Sequence, residues 1–159
     1  MDERVRLLLD VFDQAYTAPS WHGPPLKGTL RGLTARDALW RPGPRRHCTW
    51  DLVLHTAYWK CMVRRRLLRD PAIAFPRDGA NWPALPARPD TAAWKRDRDL
   101  LDEQHALLRR AIAGLHARDL NRRGWHSKWR IKEEVYGIAS HDLYHAGQIQ
   151  MIKRLMKRR

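Results

Sequence analysis

The chain has 159 residues, 43% of them hydrophobic and eight of them tryptophan, which is enough to bury a core and excludes a disordered chain. A formal net charge of +14 makes nucleic acid the first partner to weigh, although arginine far outnumbers lysine and is scattered along the whole length. Two cysteines, Cys48 and Cys61, make neither a disulfide framework nor a CxxC metal pair.

Four segments carry helical periodicity. The first runs from about Asp2 to Tyr16, with Val5, Leu8, Leu9 and Phe12 on one face. WHGPP (Trp21 to Pro25) breaks it, and LKGTLRGL followed by TARDALW predicts one or two short helices. RPGPRR (Arg41 to Arg46) is a loop. The second long helix opens at Cys48 or Thr49, has Asp51 in its first turn, and runs to about Leu68 before Pro71. It is apolar on most sides, as a well-buried helix is. Five prolines then mark PAIAFPRDGANWPALPARPD as an ordered surface loop. Asp90 or Thr91 caps a third helix, about Thr91 to Leu115, striped by Leu101, Leu108, Ile112 and Leu115. A polar connection, Arg118 to Trp129, leads to a fourth helix from about Ile131 to Met156. No strand alternation and no internal repeat is present. The expected architecture is a single all-α domain spanning residues 1–159. It is a four-helix bundle with short extra helices and a long loop between helices 2 and 3, and that second connection is long enough for a crossover.

The charge yields little further. RRRLLR (Arg64 to Arg69) and the terminal KRLMKRR are the densest runs, and aromatic residues do not interleave with either as a base-stacking platform would require. No zinc-finger spacing and no glycine-rich RNA-binding signature occurs. Most of the charge reads as a solvated face, with a part of it suited to drawing in an anionic small molecule. The start alternates charged and apolar residues, and no stretch approaches the ~18 apolar residues of a membrane span. A soluble, cytoplasmic protein is expected. Cys61, on an apolar helix, reads as core. Cys48, near a helix start that favours thiolate, reads as a loop residue.

The chemistry concentrates in HDLYHAGQI (His141 to Ile149). At 100° per residue, Val135, Ile138, His141, His145, Ile149 and Ile152 share one side of the fourth helix, with Gln148 at its edge. Two imidazoles therefore project inward one turn apart, and a buried imidazole without a partner costs about 1–3 kcal/mol. Either each ring bonds a tyrosine, an aspartate or a backbone carbonyl, or both bind one metal ion. HDLYH also invites comparison with the HExxH zinc-protease motif. Asp142 is one methylene shorter than the glutamate of that motif, and no His, Asp or Glu follows in AGQIQMIKRLMKRR. A third ligand must come from upstream.

Among the upstream histidines, His116 and His126 read as solvated surface, His47 as a helix-start residue and His22 as loop packing. His55 and His105 both face inward, and spacing does not choose between them. Asp142, Gln148, Tyr58 and Tyr144 are candidates for orienting the rings, each with a plainer packing or ion-pair role. Trp59, Trp21 and His22 are candidates for a pocket mouth, again with packing as the plainer role.

CTWDLVLHTAYWKCMVRRRL, followed much later by YGIASHDLYHAGQIQMIKR, resembles the DinB/YfiT-like superfamily of metal-binding four-helix bundles. WHGPP and LKGTLRGLTARDALWRPGPRRH are similar to that family too, so the resemblance covers most of the chain. It implies one histidine from the second helix and two from the fourth: His55, His141 and His145. Three imidazoles leave a divalent metal with open positions, zinc by default, with nickel, manganese or iron also suited. The resemblance further implies a low-molecular-weight thiol as nucleophile, in an S-transferase or isomerase reaction, with metal-dependent hydrolysis as the second reading. It also implies a homodimer. A basic nucleic-acid-binding module with structural histidines, and a helical interaction protein without catalysis, are the alternatives outside enzymology.

Overall fold

Asp2 starts the first helix: its carboxylate accepts the backbone N–H of Arg4 at 3.0 Å, satisfying one of the orphan donors of helix α1 (Glu3–Tyr16). The structure, a computed structural model, describes residues 1–157; the last two residues of the terminal basic run, Arg158 and Arg159, lie outside the described residues. α1 buries Val5, Leu9, Phe12, Ala15 and Tyr16, and Leu8 stays at the edge of that face. Two short helices follow, α2 (Leu26–Thr29) and α3 (Ala35–Leu39), the latter opened by a reciprocal capping box between Thr34 and Asp37.

α4 (Thr49–Leu68) starts where Asp51 reaches back to the N–H of Cys48 at 2.9 Å. It ends at Arg69 in the left-handed region (φ 57°), two residues before Pro71. Twelve of its residues are buried, including His55 and Lys60, so the apolar-on-most-sides reading holds. α5 (Thr91–Ala113) is capped by Asp90, whose side chain accepts from Ala93 at 2.7 Å. It stops two residues short of the expected Leu115, because Gly114 is a weak helix former and closes the last turn instead. α6 (Ile131–Met156) matches its expected limits. No strand occurs among the described residues; a single isolated bridge joins Arg123 and Arg130, and Ala117–Asp119 form a 3₁₀ turn.

The four long helices form a ring: α1 packs on α5 and α6, and α4 packs on the same two. α1 and α4 are therefore diagonal, as are α5 and α6. The connection long enough for a crossover, residues 69–90, joins the neighbours α4 and α5. The diagonal steps are made by the first connection, stiffened by α2 and α3, and by residues 114–130. Two apolar clusters fill the ring. One gathers Trp50, Leu54, Trp94, Leu101 and Ile149; the other gathers Val5, Phe12, Val63, Leu108 and Val135.

The 69–90 loop is fastened rather than loose. Arg77 pairs with Asp97 of α5, whose other carboxylate oxygen accepts the indole N–H of Trp50 at 2.7 Å. Phe75 and Leu85 pack on the core. Gly79 holds φ 93°, and a Cβ there would stand 3.4 Å from the Cα of Pro83, so the tight turn that follows requires glycine.

Candidate metal centre

His55 on α4 meets His141 and His145 on α6. The Nε2 atoms of His55 and His141 are 3.0 Å apart, as are those of His145 and His141. One ligand nitrogen from each of the three rings lies within 4.8 Å of the others. The i, i+4 spacing on α6 sets two rings edge to face one turn apart, and the packing of α4 on α6 brings the third. His55 and His145 are buried; His141 is partly exposed.

Two of the rings are held from behind. The Nδ1–H of His55 donates to the backbone carbonyl of Asn81 at 2.6 Å, and that of His145 to Oε1 of Gln148 at 2.7 Å. A neutral imidazole with its proton on Nδ1 carries a lone pair on Nε2. Both rings thus turn acceptors toward His141, which has one proton to share at most. His141 Nδ1 is buried with no partner among the described residues. Three convergent nitrogens with this shortage of protons fit a cation, and imidazole donors suit a divalent transition metal.

Electrostatics keeps the lone pairs available. Burial lowers the pKa of all three rings, that of His141 to about 3, with His145, His55 and Lys60 adding repulsion, and that of His145 to about 4. Near neutral pH the trio is uncharged.

The 69–90 loop closes one side. Asn81, at φ 43°, offers its carbonyl to His55 and its side-chain Oδ1 to the indole N–H of Trp59 at 2.8 Å. Trp82 stacks between His55 (4.0 Å) and His47 (3.6 Å). Asn81 and Trp82 were not singled out from the sequence. Their signal was NWP one residue after the DG turn, the one place in that loop where a polar and an aromatic residue stand together.

His105, the rival third ligand, lies elsewhere. It is sandwiched between Phe12 and Tyr16, at 4.4 and 3.9 Å between ring centres, and reaches toward Asp13. Asp142 does not orient the trio. One residue past His141 its side chain points about 100° away, into the core, where it pairs with Lys60; both are fully buried. Its place is therefore not that of a protease general base. Gln148 is the one orienting candidate that bonds a trio ring. Tyr144 is exposed and meets His145 only edge-on, while Tyr58 packs on Trp59 and Phe75. Trp21 is 99% exposed and His22 is exposed as well, so neither packs nor lines the site. Both thiols are buried, with that of Cys48 pushed up to about 11, so no reactive thiolate forms there.

No helix among the described residues is long and apolar enough to cross a membrane. The family model of the DinB superfamily matches residues 24–149, a span that runs from just before α2 into α6 and includes all three histidines. No curated protein and no solved structure matches the chain.

Proposed function

The chain belongs to the DinB superfamily, and on that footing we propose that it is a divalent-metal-dependent enzyme whose metal is held by His55, His141 and His145. The observation that carries the reading is the convergence of three neutral imidazole Nε2 atoms, two of the rings fixed by hydrogen bonds that their Nδ1–H groups donate. When bound, such an ion supplies Lewis acidity that favours the deprotonated, nucleophilic form of a thiol or of water. Zinc is the first candidate, before nickel, manganese and iron.

The protein's own groups set the conditions. The Asn81 carbonyl and Gln148 Oε1 fix the tautomers of His55 and His145 and raise their basicity. Trp59 and Trp82 cover His55 and keep water from its ring. The reaction proposed is transfer to a low-molecular-weight thiol: the sulfur gives up its proton, forms a bond to an electrophilic carbon, and the leaving group departs with the electron pair. Hydrolysis, with water in place of the thiol, is the alternative.

Zinc-reconstituted protein incubated with a thiol panel and a reactive alkyl halide tests this. Thiol loss above the uncatalysed rate, abolished by a chelator and in His55→Ala, supports transfer. Ester hydrolysis without thiol, abolished in the same two ways, supports the alternative. Neither activity in a metal-loaded protein overturns the enzymatic reading.

A further inference from the structure

A cleft of about 380 Å³ opens beside the trio, and His141 stands in its wall. That volume is at the small end of the ~300–1,000 Å³ typical of small-molecule sites. Trp59 and Val63 of α4 and Ile138 of α6 form its apolar side. Trp129 and Tyr136 flank it and remain 51% and 48% exposed, large rings left half uncovered around a hollow.

The charged groups at the cleft differ in what they have left to give. Glu134 is satisfied: its oxygens take Nη1 of Arg66 at 3.1 and 3.2 Å and the hydroxyl of Ser127. Glu133 Oε2 accepts the N–H of Arg130 at 2.7 Å. Arg66 spends only Nη1 on Glu134, and its guanidinium lies 5.5 Å above the Trp59 ring. Its Nε and Nη2 have no partner among the described residues. A planar guanidinium edge with free donors, beside an apolar and aromatic wall, matches an anionic group on a flat apolar body.

We propose that this cleft is the substrate site serving the histidine trio, and that it takes a planar, apolar small molecule carrying one anionic group. The part that concerns catalysis rests on the metal-centre reading; the binding itself does not. The rings of the ligand cover Trp129 and Tyr136, its anion meets Arg66, and His141 joins the cleft to the trio.

Gly137 gives a clean way to close the cleft. It lines the hollow from the interior of α6, and a Cβ built there meets nothing within 4 Å. A leucine at 137 enters open space and improves the helix.

The probe is 8-anilinonaphthalene-1-sulfonate, a flat apolar anion, titrated by fluorescence into metal-free and zinc-loaded protein. The parent is expected to bind one probe per chain saturably. Gly137→Leu and Trp129→Ala are expected to weaken binding at least tenfold, and Arg66→Lys, which keeps the partner of Glu134 but loses the planar fork, about fivefold. Leu7→Ala, on the exposed side of α1, is expected to leave it unchanged; circular dichroism confirms the fold of each. Unchanged binding in Gly137→Leu overturns the proposal. So does loss in Arg31→Ala instead, which would place the probe in the larger hollow of about 710 Å³ beside Lys27 and Arg31. A dimeric parent made monomeric by Gly137→Leu also overturns it, because a second copy then covers the cleft. Metal content separates the two readings. A parent without metal whose probe is lost in Gly137→Leu sinks the metal centre and keeps the binding site. A metal-loaded parent whose probe is insensitive to Gly137→Leu does the reverse.

Discussion

Two of the polar constellations between α4 and α6 are opposites. Lys60 and Asp142 are complementary: a cation and an anion, both fully buried, closing on each other in the core. His55, His141 and His145 are alike: three acceptor nitrogens with too few protons among them. The ion pair neutralises itself within the chain through one carboxylate oxygen, Oδ1 of Asp142 having no partner among the described residues, and it ties the register of the two helices. The trio has no cation of its own and, on the proposed reading, takes one from outside. His141 and Asp142 are adjacent in sequence, so one helix serves both ends by turning about 100° between them. Opposite charges buried in the core support the fold; like acceptors gathered beside a cleft are the candidate for function.

The comparison breaks hardest at the ion pair. Lys60→Met strands the Asp142 carboxylate in the core and is expected to cost about 3–5 kcal/mol in urea unfolding, with or without metal. Lys60→Met combined with Asp142→Leu removes both charges and is expected to restore most of that loss. An equal loss in single and double variants would mean the pair is not coupled.

At the trio, the addition of an ion is the large effect. Zinc at a hundred times its dissociation constant is expected to stabilise the parent by about 2.7 kcal/mol. It is expected to do nothing for the triple alanine variant of His55, His141 and His145. Calorimetric melting with and without zinc reads this directly.

The trio and His105 also set a pH dependence in metal-free protein. Burial drives His105 to about 2, His141 to about 3 and His145 to about 4, with His55 lowered too. These rings stay neutral when folded but take up protons when unfolded, near pH 6.5. Their contribution is complete above pH 6.5 and is lost as pH falls below it. Asp142, pushed up to about 6, acts in the opposite sense between pH 6 and 4 and offsets part of the loss. A net decline of about 2 kcal/mol by pH 5.5 is expected, discounted for the partial exposure of His141. Stability flat from pH 7.5 to 5 would show that the rings are not held neutral.

The smallest effect sharpens the picture most. Gln148→Leu leaves the trio intact but frees the Nδ1–H of His145. A tenfold loss of zinc affinity, about 1.4 kcal/mol, is expected by competition with a chromophoric chelator. No loss would reduce Gln148 to a packing residue.

Much of this was legible in the sequence. The helix limits followed from caps and breakers: Asp90 before α5, and Pro71 after α4. His141 and His145 followed from their spacing on one face of α6. Spacing left His55 and His105 tied, because both face inward; what separates them is which neighbour each helix meets, a property of the packing. The family resemblance pointed to His55, and the structure brings that ring to the other two while Phe12 and Tyr16 enclose His105. Only half of the Lys60–Asp142 pair was read: an ion-pair role was weighed for Asp142, while Lys60 drew no notice within its apolar helix. The roles of Asn81 and Trp82 depend on a loop whose path is set by Arg77, Asp97 and Gly79 together, and no local pattern encodes such a path.

Elemental analysis of untagged protein by mass spectrometry tests the central claim most directly, on the parent, His55→Ala and His105→Ala. About one transition metal per chain in the parent and in His105→Ala, with little in His55→Ala, is the predicted result. No metal in any of them after reconstitution with zinc, nickel and manganese, or loss in His105→Ala but not in His55→Ala, would contradict it.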